Sequence, residues 1–166
     1  MVRTSNLSNY SDVHYTDDRV AQSVVSHFDV SLPCLEPCRG NGSFFRHLPI
    51  GTEWCELAEG VDFFERTQPT KWIVTNPPFE EMTRWMEHSF SLAQEVVFFI
   101  PISKLYSSVP RMELVRQYGG VKRIVYVGSC RKVGFDIGFP FGAVHFSKGY
   151  VGPTHFDWDG LSVRKK

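Results

Sequence analysis

The chain has 166 residues, 42% hydrophobic and 22% charged, which fits one globular domain with a sizeable core. Its 18 basic and 18 acidic residues cancel, which excludes a strong, sequence-independent grip on nucleic acid and leaves room only for a local basic strip. Cys34, Cys38, Cys55 and Cys130 are too scattered for a disulfide framework or a zinc site, so no metal is expected, and reduced thiols fit a cytoplasmic protein.

Residues 1–13 are rich in Ser and Asn and read as a flexible lead-in with no apolar signal segment. No apolar run approaches the roughly 20 residues that span a bilayer, so no membrane partner is expected. Thr16 is the expected N-cap of a first helix, with Asp17 and Asp18 favouring its first-turn dipole and Val20, Val24 and Phe28 on one face. A first strand, Val30 to Leu35, runs into Glu36-Pro37-Cys38-Arg39-Gly40-Asn41-Gly42-Ser43-Phe44-Phe45. A strand, an acid, Gly-x-Gly and a helix start make a nucleotide-type loop. Phe45 replaces the third glycine of the dinucleotide fingerprint, and no Lys-Ser/Thr pair follows as in a P-loop. A short helix from Ser43 to Leu48 ends at Pro49-Ile50-Gly51, and Thr52 to Leu57 is the second strand. Glu56 stands 20 residues after Glu36, a spacing that suits an acid holding ribose hydroxyls, the competing reading being an exposed loop acid. Gly60 to Glu65 follows at once, with the usual crossover helix trimmed away.

Lys71-Trp72-Ile73-Val74 reads as a central strand, stopped by Asn76-Pro77-Pro78-Phe79. The first proline keeps Asn76 extended, which makes a rigid elbow at a strand's carboxyl end, where ligands bind in open α/β sheets. Glu80 to Ala93 is a helix whose Met82, Trp85, Met86, Ser89, Phe90 and Ala93 face the core. Glu95 to Ile100 is apolar enough for a strand buried on both faces, Pro101 stops it, and Ile102-Ser103-Lys104-Leu105 turns away. Pro110 to Tyr118 is a helix closed by Gly119-Gly120, and Val121 to Val127 is a strand. The loop Gly128 to Gly142 carries Arg131 and Lys132, and Ala143 to Lys148 alternates as a final antiparallel strand. The tail from residue 151 to 166 reads as solvated, the alternative being that Arg164-Lys165-Lys166 touches phosphates.

Asn76-Pro77-Pro78-Phe79 resembles the catalytic motif of S-adenosylmethionine-dependent amino-methyltransferases, and the preceding Ile-Val-Thr brings it nearest to the DNA and RNA adenine enzymes. Glu-Pro-x-x-Gly-x-Gly-x-Phe over 36–44 resembles their cofactor motif, so the likeness spans nearly the whole chain in order. It implies an α/β, Rossmann-like class I methyltransferase domain over 14–150. Its sheet would have seven mostly parallel strands and a C-terminal antiparallel hairpin. The cofactor implied is S-adenosylmethionine. By the same resemblance Tyr15 and Thr16 lie over its methionine end, Glu36, Pro37, Gly40, Gly42 and Phe44 form its loop, Glu56 takes the ribose, and Asp62 and Phe63 take the adenine. Asn76 touches cofactor and substrate; the plain alternatives are a capped helix at Thr16 and a turn Asp followed by a core Phe at 62–63.

An exocyclic amine is a poor nucleophile because its lone pair is shared with the ring. The Asn76 side-chain oxygen and the Pro77 carbonyl would accept its two hydrogens, held rigid by Pro78, while Phe79 offers a face for a flipped base. Lys104, Arg131 and Lys132 are the expected substrate contacts. A cytosine-C5 mechanism is excluded, since Pro33-Cys34 and Pro37-Cys38 flank the cofactor loop and form no elbow. The expectation is an enzyme that methylates N6 of adenine in DNA, of a size resembling phage-borne DNA methyltransferases acting in a bacterial or infected cytoplasm. The alternatives are RNA adenine, a protein glutamine, or a non-catalytic cofactor- or nucleic-acid-binding module. No separate target-recognition domain is legible, so specificity is low, a protein partner supplies it, or the substrate is something else.

Overall fold

Residues 15–129 and 139–161 are described by the computed structural model of the chain. The expected lead-in, Cys130, Arg131, Lys132 and the basic end of the tail lie outside the described residues. Seven strands form one sheet: β1 (Cys34–Glu36), β2 (Glu53–Trp54), β3 (Thr70–Thr75), β4 (Ala93–Pro101), β5 (Gly119–Ser129), β6 (Pro140–Lys148) and β7 (His155–Trp158). Their spatial order is β2-β1-β3-β4-β6-β5-β7. β6 runs antiparallel to both β4 and β5, while the other neighbouring pairs are parallel.

Alternation along the strands builds two cores. In β4, Val96, Phe98 and Ile100 face one side and Val97 and Phe99 the other, and all five are fully buried. Each such side chain contributes about 1.5–3 kcal/mol relative to an exposed one. Helices α2 (Met82–Leu92) and α4 (Val109–Tyr118) cover the first face, where Phe90 stacks on Tyr118 with ring centroids 4.0 Å apart. Helix α1 (Asp18–Ser26) covers the second through Val20, Ala21, Val24 and Val25. The expected apolar stripe of α2 is buried as read, and Ile102–Tyr106 forms the short helix α3 just past β4.

Five elements differ from expectation. β1 begins only at Cys34, because Pro33 has no N–H to give a ladder; its carbonyl accepts from Lys71 and Trp72 instead. β2 shrinks to Glu53–Trp54, and the helix expected over 43–48 is a single 3₁₀ turn, Phe45–His47, ended by Pro49. The α1 N-cap is Asp17, whose carboxylate accepts from the Arg19 N–H at 2.9 Å, not Thr16. The tail is not merely solvated: His155–Trp158 adds β7 to the sheet, parallel to β5, so the domain extends past residue 150. Asp159, fully buried, then accepts from Ser23 Oγ at 2.6 Å and contacts His27 Nε2 at 2.9 Å, which ties the C-terminal segment to α1.

Candidate active site

β1 and β3 are adjacent and parallel, with Leu35 paired to Ile73, so the loop after Glu36 and the elbow after Thr75 leave the sheet side by side. Between them opens a cleft of about 770 Å³, counting its mouth. Glu36, Gly40, Phe44 and Glu56 line it from the loop side, Asn76 to Phe79 from the elbow, and Tyr15 and Thr16 from the chain just before α1.

The loop needs its glycines. Gly40 and Gly42 sit at φ +53° and +81°, where side chains are disfavoured, and a Cβ on Gly40 would come within 3.0 Å of the Tyr15 ring. Glu56 organises this loop: one carboxylate oxygen accepts from the Gly40 N–H at 2.6 Å and the other from the Ala58 N–H at 3.2 Å. Each oxygen keeps a further lone pair able to accept, and Glu56 lines the cleft. Arg39 bonds Glu59 and lies 3.9 Å over the Trp54 ring, and Asn41 Oδ1 accepts from the Ser43 N–H and hydroxyl.

At the elbow, the Asn76 amide nitrogen donates to Thr16 Oγ1 at 3.1 Å. Phe79 packs against both cores and meets Phe141 edge-on with centroids 5.5 Å apart. Phe44, 3% exposed, is the floor of the cleft and leans on Phe99.

Glu36 dominates the electrostatics. It is 1% exposed, one carboxylate oxygen has no hydrogen-bond partner, and burial pushes its pKa up to about 9 against the opposing charge of Arg39. A buried acid in that condition suits a ligand that brings a cation. Burial also pushes the Cys34 and Cys38 thiols up, to about 11 and about 12, so neither is a thiolate nucleophile near neutrality.

A stability prediction follows from Glu36. Unfolded, the group titrates near 4.5; folded, it keeps its proton to about 9. Its contribution to stability is therefore full below pH 4.5, falls steadily as pH rises between those values, and levels off above the upper one. Urea denaturation of the ligand-free protein is expected to show this decline, and Glu36→Gln should flatten it. A Glu36→Gln profile as steep as that of the unsubstituted protein refutes the assignment.

Not every expected site residue reaches the cleft. Pro37 is buried behind the loop, and Gly42 faces Arg46. Asp62 caps a 3₁₀ turn by accepting from the Phe64 N–H at 2.9 Å. Phe63 is 3% exposed and stacks on Trp85 at 5.0 Å, so the structure puts this ring in the core and not against the cleft. Lys104 lies on α3, outside the lining, with its carbonyl accepting from Arg111. Conversely Cys38, Arg39, Asn41 and Ser43 line the cleft without having been singled out; they fill the variable positions of the loop motif and were findable only by contiguity.

No protein-family model and no curated protein matches the sequence. Solved structures do match in fold. A Listeria monocytogenes protein described as a class I S-adenosylmethionine-dependent methyltransferase superposes at TM-score 0.63 and 9% identity, over 92% of this chain and 68% of that one. The M protein of the type I restriction enzyme EcoKI (EC 2.1.1.72) gives 0.62 at 12% identity, over 86% and 45%. A protein of Vibrio vulnificus YJ016 described as a type I restriction enzyme modification subunit gives 0.59 at 15%, over 84% and 45%. The chain thus spans less than half the length of those two subunits. These likenesses establish the fold, a Rossmann-like class I methyltransferase sheet with the antiparallel β6 set between β4 and β5.

Proposed function

We propose that the protein binds S-adenosylmethionine in the cleft and transfers its methyl group to N6 of adenine in DNA. The observation that carries this reading is that the Gly40–Gly42 loop, the buried Glu36 and the Asn76–Phe79 elbow, separate in sequence, line one cleft at the carboxyl edge of a methyltransferase-type sheet. When bound, the cofactor supplies an electrophilic methyl group on a sulfonium centre. The residues present fit it: Glu36 offers an unpartnered carboxylate oxygen to a cation, and Gly40 leaves the backbone open to close approach.

On this reading Tyr15 and Thr16 close the cleft over the methionine end, and Phe44 is the apolar floor. Glu56 holds the ribose hydroxyls with the lone pairs its loop bonds leave over. Asn76 and the Pro77 carbonyl accept from the acceptor amine and favour its tetrahedral, nucleophilic form. Glu36, Gly40 and Glu56 would hold the cofactor with its methyl group toward that nitrogen, which would take the methyl in exchange for a proton lost to solvent, the thioether left behind staying in the cleft. Pro77 and Pro78 restrict the elbow backbone, so the acceptors are placed in advance. Phe79 stacks the target base, with Lys104, Arg131 and Lys132 meeting the nucleic-acid backbone. On this reading a protein partner supplies target specificity.

Transfer of labelled methyl from S-adenosylmethionine to double-stranded DNA, single-stranded DNA, RNA and a protein mixture tests this directly. Label in DNA as N6-methyladenine is the expected result. Label only in RNA or only in a protein glutamine moves the substrate to that class. Absence of label everywhere, with cofactor bound, makes the domain a binding module.

A further inference from the structure

The two prolines that follow Asn76 restrict its backbone but not the end of its side chain. The last torsion of an asparagine is broad and roughly two-fold, so two orientations of the amide are close in energy. A rotation by half a turn exchanges an acceptor for a donor, and an amide N–H₂ aimed at an amine opposes donor to donor. Something outside the elbow must hold the amide.

Among the described residues, Thr16 bonds it directly. Thr16 is 5% exposed, and its Oγ1 accepts from Asn76 Nδ2 at 3.1 Å across 60 residues of sequence. Its hydroxyl is not used as the helix cap, because Asp17 fills that place. The amide nitrogen therefore faces α1, and the amide oxygen is turned away from it. Thr16 is itself held from both directions. Tyr15, its neighbour, lies against Gly40 of the cofactor loop. The helix that follows is anchored by Val20, Ala21 and Val24 in the core and by Asp159 near its far end.

We propose that Thr16 is a positioning residue, whose hydroxyl sets the Asn76 carboxamide and links its orientation to the order of the Gly40 loop. This rests on the methyltransferase reading above. Thr16 touches neither reacting atom; it acts through Asn76.

The test compares Thr16→Val, which keeps the shape and removes the hydroxyl, with Thr16→Ser, which restores it. Two readouts are taken on the full chain. The first is the pair of side-chain amide proton signals of Asn76 in an ¹⁵N-labelled sample, identified by their loss in Asn76→Asp. The second is kcat for methyl transfer together with the cofactor Kd. The expected result is that Thr16→Val shifts the Asn76 amide signals and lowers kcat about tenfold, the effect of losing roughly one hydrogen bond. Because Thr16 also lines the cleft, kcat is read at saturating cofactor, where a change in Kd does not enter it, and Thr16→Ser should return signals and rate. Unchanged amide signals in Thr16→Val overturn the proposal, as does a loss that falls on Kd alone or one that Thr16→Ser fails to rescue. If the unsubstituted protein methylates nothing, the functional reading fails, and the amide signals still decide the Thr16 contact. Should Thr16→Val not fold, Thr16→Ala takes its place in the same comparison.

Discussion

Asn76→Ala is expected to lower methyl transfer by about 100- to 1,000-fold, the range seen when one preorganised polar group is removed from a transition state. The alanine removes the side-chain oxygen that would accept from the amine and leaves the Pro77 carbonyl in place. It leaves the cofactor wall largely intact, because Glu36, Gly40, Phe44 and Glu56 line the cleft from the other side. The loss should therefore fall on kcat, with the cofactor Kd changed by no more than a few-fold. Isothermal titration with S-adenosylmethionine and a single-turnover assay separate the two. A variant that retains more than a tenth of the native rate would remove Asn76 from the chemistry.

The largest effect on stability is expected from Phe99→Ala, about 3–5 kcal/mol. Phe99 is fully buried in β4, and its ring lies 6.0 Å from Phe44 and 5.2 Å from Phe141. Phe141 in turn meets Phe79 edge-on. The missing ring would leave a cavity beneath the floor of the cleft and behind the aromatic of the elbow. Urea denaturation should report the loss as a lower midpoint with an unchanged slope. A loss below about 1 kcal/mol would mean that the layer collapses to fill the space.

Much of this architecture is legible in the sequence wherever one side chain must face a core. The stripe of α2 and the apolar run of β4 are unambiguous because burial on a face imposes a period, and both appear as read. The elbow is equally legible, since proline removes a donor and restricts its predecessor without help from any other part of the chain. β7 left no such trace. None of its four residues is buried, so no burial on a face marks it, and it joins β5 by the ladder, by Arg123 bonding Asp157 and by Tyr126 meeting the rings of Phe156 and Trp158. Thr16 and Asp17 are adjacent and both able to cap a helix, and local sequence cannot choose between them. A contact with Asn76 takes the Thr16 hydroxyl, and the cap falls to Asp17. Phe63 fits equally a ring on a ligand and a ring in the core, until α2 brings Trp85 beneath it.

The sequence by itself determined the loop with its two left-handed glycines, the rigid elbow and the strands that carry them, because each depends on local conformational limits or on a burial period. Only the tertiary structure decided that Glu36 is sealed from water and keeps its proton to about pH 9, that Glu56 clasps the loop, and that Thr16 meets Asn76. Those properties depend on which groups meet across the sheet edge, and no short stretch of chain contains both partners.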